Sequence, residues 1–358
     1  MKPITDLSVI PPKENALATS SGEYLNQNFI MPCTAIYFLV SIISSFLPAQ
    51  FSFLQQVLLA VSILIFGLSH GATDHKVPFQ LQNQPLKLIP FSAFTAFYIL
   101  LVFAYAGVWL FNAPLAFGLF ALLSWWHFGA ADLWSLQRLE SGLAIKYFWQ
   151  KLAIIILWGG TSLLLPALGL YQAEYLKFFE TIARNLNVDL GFAVFDNLKI
   201  FTPSILAIYG SLVGVSVIFV YLTRLVHSAS RLKIIVDILE KLSFFASLAL
   251  LPPLLAIGFY LSLWHAPRHI ARLLLLKTQT RQLIESEQLL PALSDFFRES
   301  STQTILAFGL LGMLYLIIPH KPTNFIELSG LFIILISALT FPHALIVLWM
   351  DSKQKLWG

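Results

Sequence analysis

The chain is short of charge. Asp, Glu, Lys and Arg make up 11% of its 358 residues, against roughly 25% in an ordinary soluble domain. That is too little to cover a water-soluble protein of this size, which excludes a soluble nucleic-acid binder and a disordered chain. Cysteine is nearly missing as well. Cys33 alone allows no intramolecular disulfide and no thiolate metal site, so a secreted disulfide scaffold is also excluded. Residues 1–32 are polar and lack the short apolar segment and small-residue cleavage site of a secretory signal. The first apolar segment is therefore expected to stay in the mature protein.

What the chain has instead is apolar length. Hydrophobic residues reach 58%, and long apolar runs recur from residue 33 to residue 350. A membrane span needs about 20 such residues. The candidates are 33–48, 51–70, 91–111, 114–131, 150–170, 200–222, 303–319 and 329–350, with tight helical hairpins at Pro48 and Pro114. The stretch from Lys241 to Lys277 is about 55 Å as one helix, too long for a bilayer, and Pro252-Pro253 should break it. Breaking it there also gathers most loop Lys and Arg on one side. The positive-inside rule then puts both termini in the cytoplasm. Asp237, Glu240 and Lys241 suggest that the part before Pro252 only dips into the membrane. The expectation is an all-α, polytopic membrane bundle of eight to ten helices in the bacterial inner membrane. It has a polar segment at 1–32, one transmembrane domain at 33–350 and a tail at 351–358. The net charge of +4 suits cytoplasmic loops facing anionic lipid.

Ionisable side chains are costly in lipid and usually face the bundle interior for a functional reason. Of eight histidines, His227 and His320 read as interfacial residues. The other six lie in or at the ends of apolar segments: His70 and His75 in F-G-L-S-H-G-A-T-D-H, His127 in S-W-W-H-F-G, His265 and His269 in L-W-H-A-P-R-H-I, and His343 in T-F-P-H-A-L. His265 and His269 are four apart and share one helix face. Two imidazoles so placed can bind one metal, although Pro267 should kink the helix near Leu263. A lone intramembrane histidine is more often hydrogen-bonded to a neighbouring helix than bound to metal. Four on three helices (His70, His127, His265, His269), with few acids, are harder to read as helix glue. Imidazole suits Fe, Cu, Zn and Ni, and four neutral nitrogens would leave Fe(II) its full charge with positions open for O2. His70 and His75 are about 140° apart on a helix, so both binding one metal is not expected. Asp74 could orient a ligand from behind; Asp74 and Asp132 also read as interfacial carboxylates.

Aromatic residues surround these histidines, among them Trp125, Trp126, Phe128, Phe259, Tyr260, Trp264 and Phe341. Packing and the interfacial aromatic belt explain most of them. A sharper reading makes Trp126, Phe128, Tyr260 and Trp264 the walls of a tunnel for a long apolar substrate entering from lipid.

The motifs H-G-A-T-D-H at 70–75, W-H-F-G at 126–129, W-H-A-P-R-H at 264–269 and F-P-H-A-L at 341–345 resemble, in order, the Brp/Blh family of membrane β-carotene 15,15′-dioxygenases. The likeness runs from about residue 51 to residue 351. It departs at Ser69, where the family often has proline, and at Ala266-Pro267, where a serine and a non-proline are expected. The resemblance implies a membrane enzyme that splits β-carotene at its central double bond with O2, giving two molecules of retinal. It implies Fe(II) held by His70, His127, His265 and His269, with Asp74, His75 and His343 supporting. A retinal-binding microbial rhodopsin would be the natural recipient of the product, and no nucleic acid is involved. Two other readings stay open on the residues alone. One is a membrane zinc hydrolase of lipid amides or esters with Asp74 as base; the other is a proton-coupled transporter using Asp74, His75 and Arg268.

Overall fold

In the computed structural model the described residues are 20–46, 57, 60, 63–82, 84, 85, 87–140, 145, 147–175, 177, 202–222, 231–317 and 325–357. Every regular element among them is helical. After a π turn at Asn26–Ile30, the helices are α1 (Met31–Phe46), α2 (Val77–Leu81), α3 (Leu88–Phe111), α4 (Ala113–Arg138), α5 (Phe148–Ala153), α6 (Thr161–Leu168), α7 (Thr202–Leu222), α8 (Arg231–Leu250), α9 (Pro253–Phe259), α10 (Ala266–Leu276), α11 (Thr278–Glu285), α12 (Leu289–Ile317) and α13 (Phe325–Lys353).

Among the described residues five helices are long and apolar enough to cross a membrane: Ser20–Ser44, Leu88–Phe111, Ala113–Arg138, Pro203–Leu222 and Gly330–Lys353. The pair Phe148–Trp158 and Thr161–Leu168, bent by 42°, makes a sixth if it crosses as one span. Their outer faces are hydrocarbon, with Leu110 and Phe111 87% and 92% exposed. The chain is a polytopic membrane helix bundle. This agrees with the all-helical membrane bundle expected, and the count covers the described residues alone. Much of 51–70 lies outside the described residues, as do His227 and His320. The first half of α12 is held by ion pairs of Asp295, Arg298 and Glu299, so only its second half is apolar.

Local chemistry sets the breaks. Between α3 and α4 stands a single residue, Asn112, whose side chain accepts from the Leu115 amide at 3.0 Å; Pro114 follows in the first turn, where its missing N–H is harmless. α8 ends at Leu250, and Pro252 caps α9 with extended backbone. The disturbance expected upstream of Pro267 takes the form of a π turn over Tyr260–His265, in which the Ala266 amide reaches the Leu261 carbonyl. Close approach then brings α4 onto the π turn Ile154–Trp158. A Cβ on Gly129 would come within 2.5 Å of the Ile155 backbone, and one on Gly159 would strike the Trp125 carbonyl. Glycine at such crossings lets membrane helices touch backbone to backbone. That contact fixes α4 two residues from His127.

Candidate metal centre

Five of the six histidines singled out by the sequence meet in the bundle interior. His127 comes from α4, His265 from the π turn, His269 from α10 and His343 from α13; His70 follows the π turn Ile63–Gly67. All five are buried, at most 9% exposed. The Nε2 atoms of His127 and His265 are 3.0 Å apart, and those of His127 and His343 are 3.3 Å apart. Ring centroids place His70 5.3 Å from His265, 5.5 Å from His269 and 5.1 Å from His343. His269 is 5.1 Å from His343.

The tautomers follow from the outer hydrogen bonds. His343 Nδ1–H donates to Asp74 Oδ2 at 2.7 Å, and the same oxygen accepts from the Tyr98 hydroxyl of α3 at 3.1 Å. His70 Nδ1–H donates to the Phe66 carbonyl at 3.3 Å. Both rings therefore carry their lone pair on Nε2. One proton on His127 Nε2 can serve only one of its two imidazole neighbours well, so lone pairs are left facing inward. Among the described residues His269 has no hydrogen-bond partner on either ring nitrogen, and His127 has none on Nδ1, although these atoms are buried. Orphaned nitrogens in a low-dielectric interior are expensive. Nitrogens each about 2.1 Å from one ion sit about 3.0–3.4 Å from each other, which is the spacing of His127 Nε2 from His265 Nε2 and from His343 Nε2. Ligand-capable atoms of His70, His127 and His343 lie within 4.8 Å of one another, as do those of Asp74, His269 and His343. A divalent ion fits this donor set.

His343 thus stands within the cluster rather than behind it, and Asp74 stands behind His343. His75 is set apart: it contacts Gln303 at 3.2 Å and the Phe91 ring at 5.3 Å. Tyr98 is a residue of this cluster that the sequence does not single out, because nothing marks one tyrosine in an apolar helix as the partner of a distant aspartate.

The cluster borders a cavity of about 670 Å³, within the range of small-molecule sites, with His70, His75, His127, His265, His343 and Asp74 in an otherwise almost wholly apolar wall. Of the four aromatic residues expected in a tunnel, Phe128 and Tyr260 line it. They flank His265, with Phe128 4.8 Å from its ring and Tyr260 nearly parallel to it. Trp126 instead stacks on Trp357 at 5.4 Å, and Trp264 packs on Phe244 at 3.4 Å in the core.

A second polar group lies outside the candidate spans. Glu299 accepts from Lys76 at 2.7 Å and from Lys277 at 2.8 Å, and Asp295 accepts from Lys277 at 2.5 Å. Burial works to raise the pKa of both acids, but the cations outweigh it and hold both below the ordinary carboxylate range. Burial likewise works against the charge on Lys277, and its two acid partners override it and raise its pKa. The cluster anchors the turn that carries Asp74 to α12.

The family model described as beta-carotene 15,15′-dioxygenase matches residues 61–351. A probable beta-carotene 15,15′-dioxygenase Blh of Halobacterium salinarum is 27% identical over 299 residues, 83% of this chain and 84% of the relative. A probable beta-carotene 15,15′-dioxygenase Brp of the same organism is 26% identical over 133 residues, 34% of this chain and 37% of the relative. No solved structure matches the chain. With a family model spanning all four histidine motifs, the chain belongs to the β-carotene 15,15′-dioxygenase family.

Proposed function

We propose that this protein cleaves β-carotene at its 15,15′ double bond with O2, giving two molecules of all-trans-retinal, at an Fe(II) centre within the bundle. The observation that carries the reading is the convergence of imidazole nitrogens from separate helices at the edge of a large apolar cavity. His70, His127, His265 and His269 are the proposed ligands, and His343, whose Nε2 is 3.3 Å from His127 Nε2, is proposed beside them. Iron held there supplies the activation of O2.

The chain's own residues do the rest. Asp74, braced by Tyr98, keeps the His343 proton on Nδ1 and its Nε2 lone pair turned inward. The apolar wall excludes water and holds a rigid polyene so that one double bond lies beside the histidines, which is how position becomes regioselectivity. Ile99, Leu306 and Leu328 line the cavity and are also exposed, at 48%, 62% and 39%. They give it an apolar mouth between α3, α12 and α13, through which a water-insoluble substrate enters from lipid. Retinal leaves the same way, to lipid or to a retinal-binding rhodopsin. The protein works in the cell membrane with both termini cytoplasmic. Asp74 Oδ2 accepts hydrogen bonds from His343 and Tyr98, which supports reading it as an orienting carboxylate.

Expression in β-carotene-producing cells tests the reading. Loss of orange colour with retinal accumulating, and dependence on O2 and iron, is the expected result. Unchanged carotenoid in cells that contain the inserted protein would refute it.

A further inference from the structure

Trp264 stands immediately before His265 in the π turn and is 1% exposed. Its ring stacks on Phe244 with 12° between planes. The Arg268 guanidinium lies 3.6 Å from the ring centroid and the Lys241 ammonium 4.6 Å. The indole N–H donates to Asp132 Oδ1 at 3.0 Å. Arg268 also donates to the Trp264 carbonyl at 2.8 Å, and Lys241 is paired with Glu140 at 3.1 Å. Asp132, Lys241 and Arg268 are all buried.

Burying such charges costs more than filling the same volume with hydrocarbon, so stability alone does not explain the arrangement. What it supplies is direction. Stacking, a cation over the ring and a hydrogen bond at its edge each restrain a different motion of the indole. Trp264 adjoins His265 and Arg268 adjoins His269, so the clamp grips the backbone at both imidazole positions. Resting on the metal-centre reading above, we infer that Trp264, held by Asp132 and Arg268, is a positioning residue that aims His265 and His269 at the shared ion.

The test uses the full-length protein in detergent, titrated with Co(II), whose absorption reports ligand geometry without turnover. Thermal midpoints of metal-free protein are measured alongside. Trp264→Phe keeps the ring stack and removes the N–H; Asp132→Asn keeps an acceptor and removes the charge. Both are expected to weaken cobalt binding about tenfold or more, as loss of supporting groups behind metal ligands does. The absorption envelope should change while the metal-free midpoint stays near wild type. Wild-type affinity and spectrum in the folded variants, whatever their midpoints, would overturn the proposal. Asp132→Asn carries the test alone if Trp264→Phe does not fold. Wild-type protein that binds no cobalt would instead remove the metal-centre reading, and this proposal with it.

Discussion

His343 is the residue whose role the structure enlarges most. Its Nε2 is 3.3 Å from His127 Nε2, while Asp74 fixes its tautomer from behind. On the function proposed above, His343→Ala should therefore resemble His127→Ala, removing most retinal formation and lowering bound iron. Asp74→Asn, which leaves the ligands in place, should cost about 10–100-fold. Retinal yield and iron content per purified chain check both, and a His343→Ala protein with full iron and activity would return His343 to a bystander. The sequence shows why each histidine is notable, since an imidazole in an apolar segment needs a reason. It does not show partnership. Asp74 and His343 lie 269 positions apart, and Tyr98 lies in a helix with no polar pattern to single it out. Trp264 misleads in the other direction: an aromatic beside a histidine looks like a tunnel wall, and only packing shows it stacked on Phe244 in the core.

Among the elements, those with chemical punctuation were legible. Pro252-Pro253 ends α8 as proline must, and Asn112-Ala113-Pro114 turns α3 into α4. The π turn at Tyr260–His265 was not legible in form. Pro267 signals a lost hydrogen bond one turn upstream, but whether the chain kinks or takes an extra residue into the turn depends on what packs there. The crossing at Gly129 was hidden too, because a glycine in W-H-F-G says nothing of its neighbour. Gly129→Val would place a branched side chain where a Cβ already meets the Ile155 backbone at 2.5 Å, forcing α4 and the His127 ring outward. Overpacking of this kind costs about 1–3 kcal/mol. The expected outcome is a lower thermal midpoint with loss of activity beyond the loss of folded protein, read by comparing activity per folded molecule. Gly107→Val, at a glycine with open space around it, is the control and should change little.

For the whole molecule, composition alone establishes the class, since a chain with 11% charge and 58% hydrophobic residues must fold in lipid. What composition leaves open is which charges stay outside. The structure gathers several into one cluster, Lys76, Lys277, Asp295 and Glu299, which joins the Asp74 turn to α12. This cluster predicts a direction of pH dependence. The acids are held below their ordinary values, so their contribution is complete above the unfolded-state values of about 4 and is lost as pH falls through the lower folded ones. Lys277 is raised, so its contribution is complete below about pH 10 and is lost only as pH rises through its folded value. Between pH 3 and pH 8 only the acid limb of this cluster moves. The contribution of Glu299, read as the difference in thermal midpoint between wild type and Glu299→Gln in detergent, should hold steady from pH 8 to about pH 5 and shrink below about pH 4. Glu299→Gln should lower the neutral-pH midpoint and flatten the acid fall, because the group whose protonation drives part of it is gone. An acid limb as steep in Glu299→Gln as in wild type would show that other carboxylates carry the effect, and that the tie between the Asp74 turn and α12 does not depend on this charge.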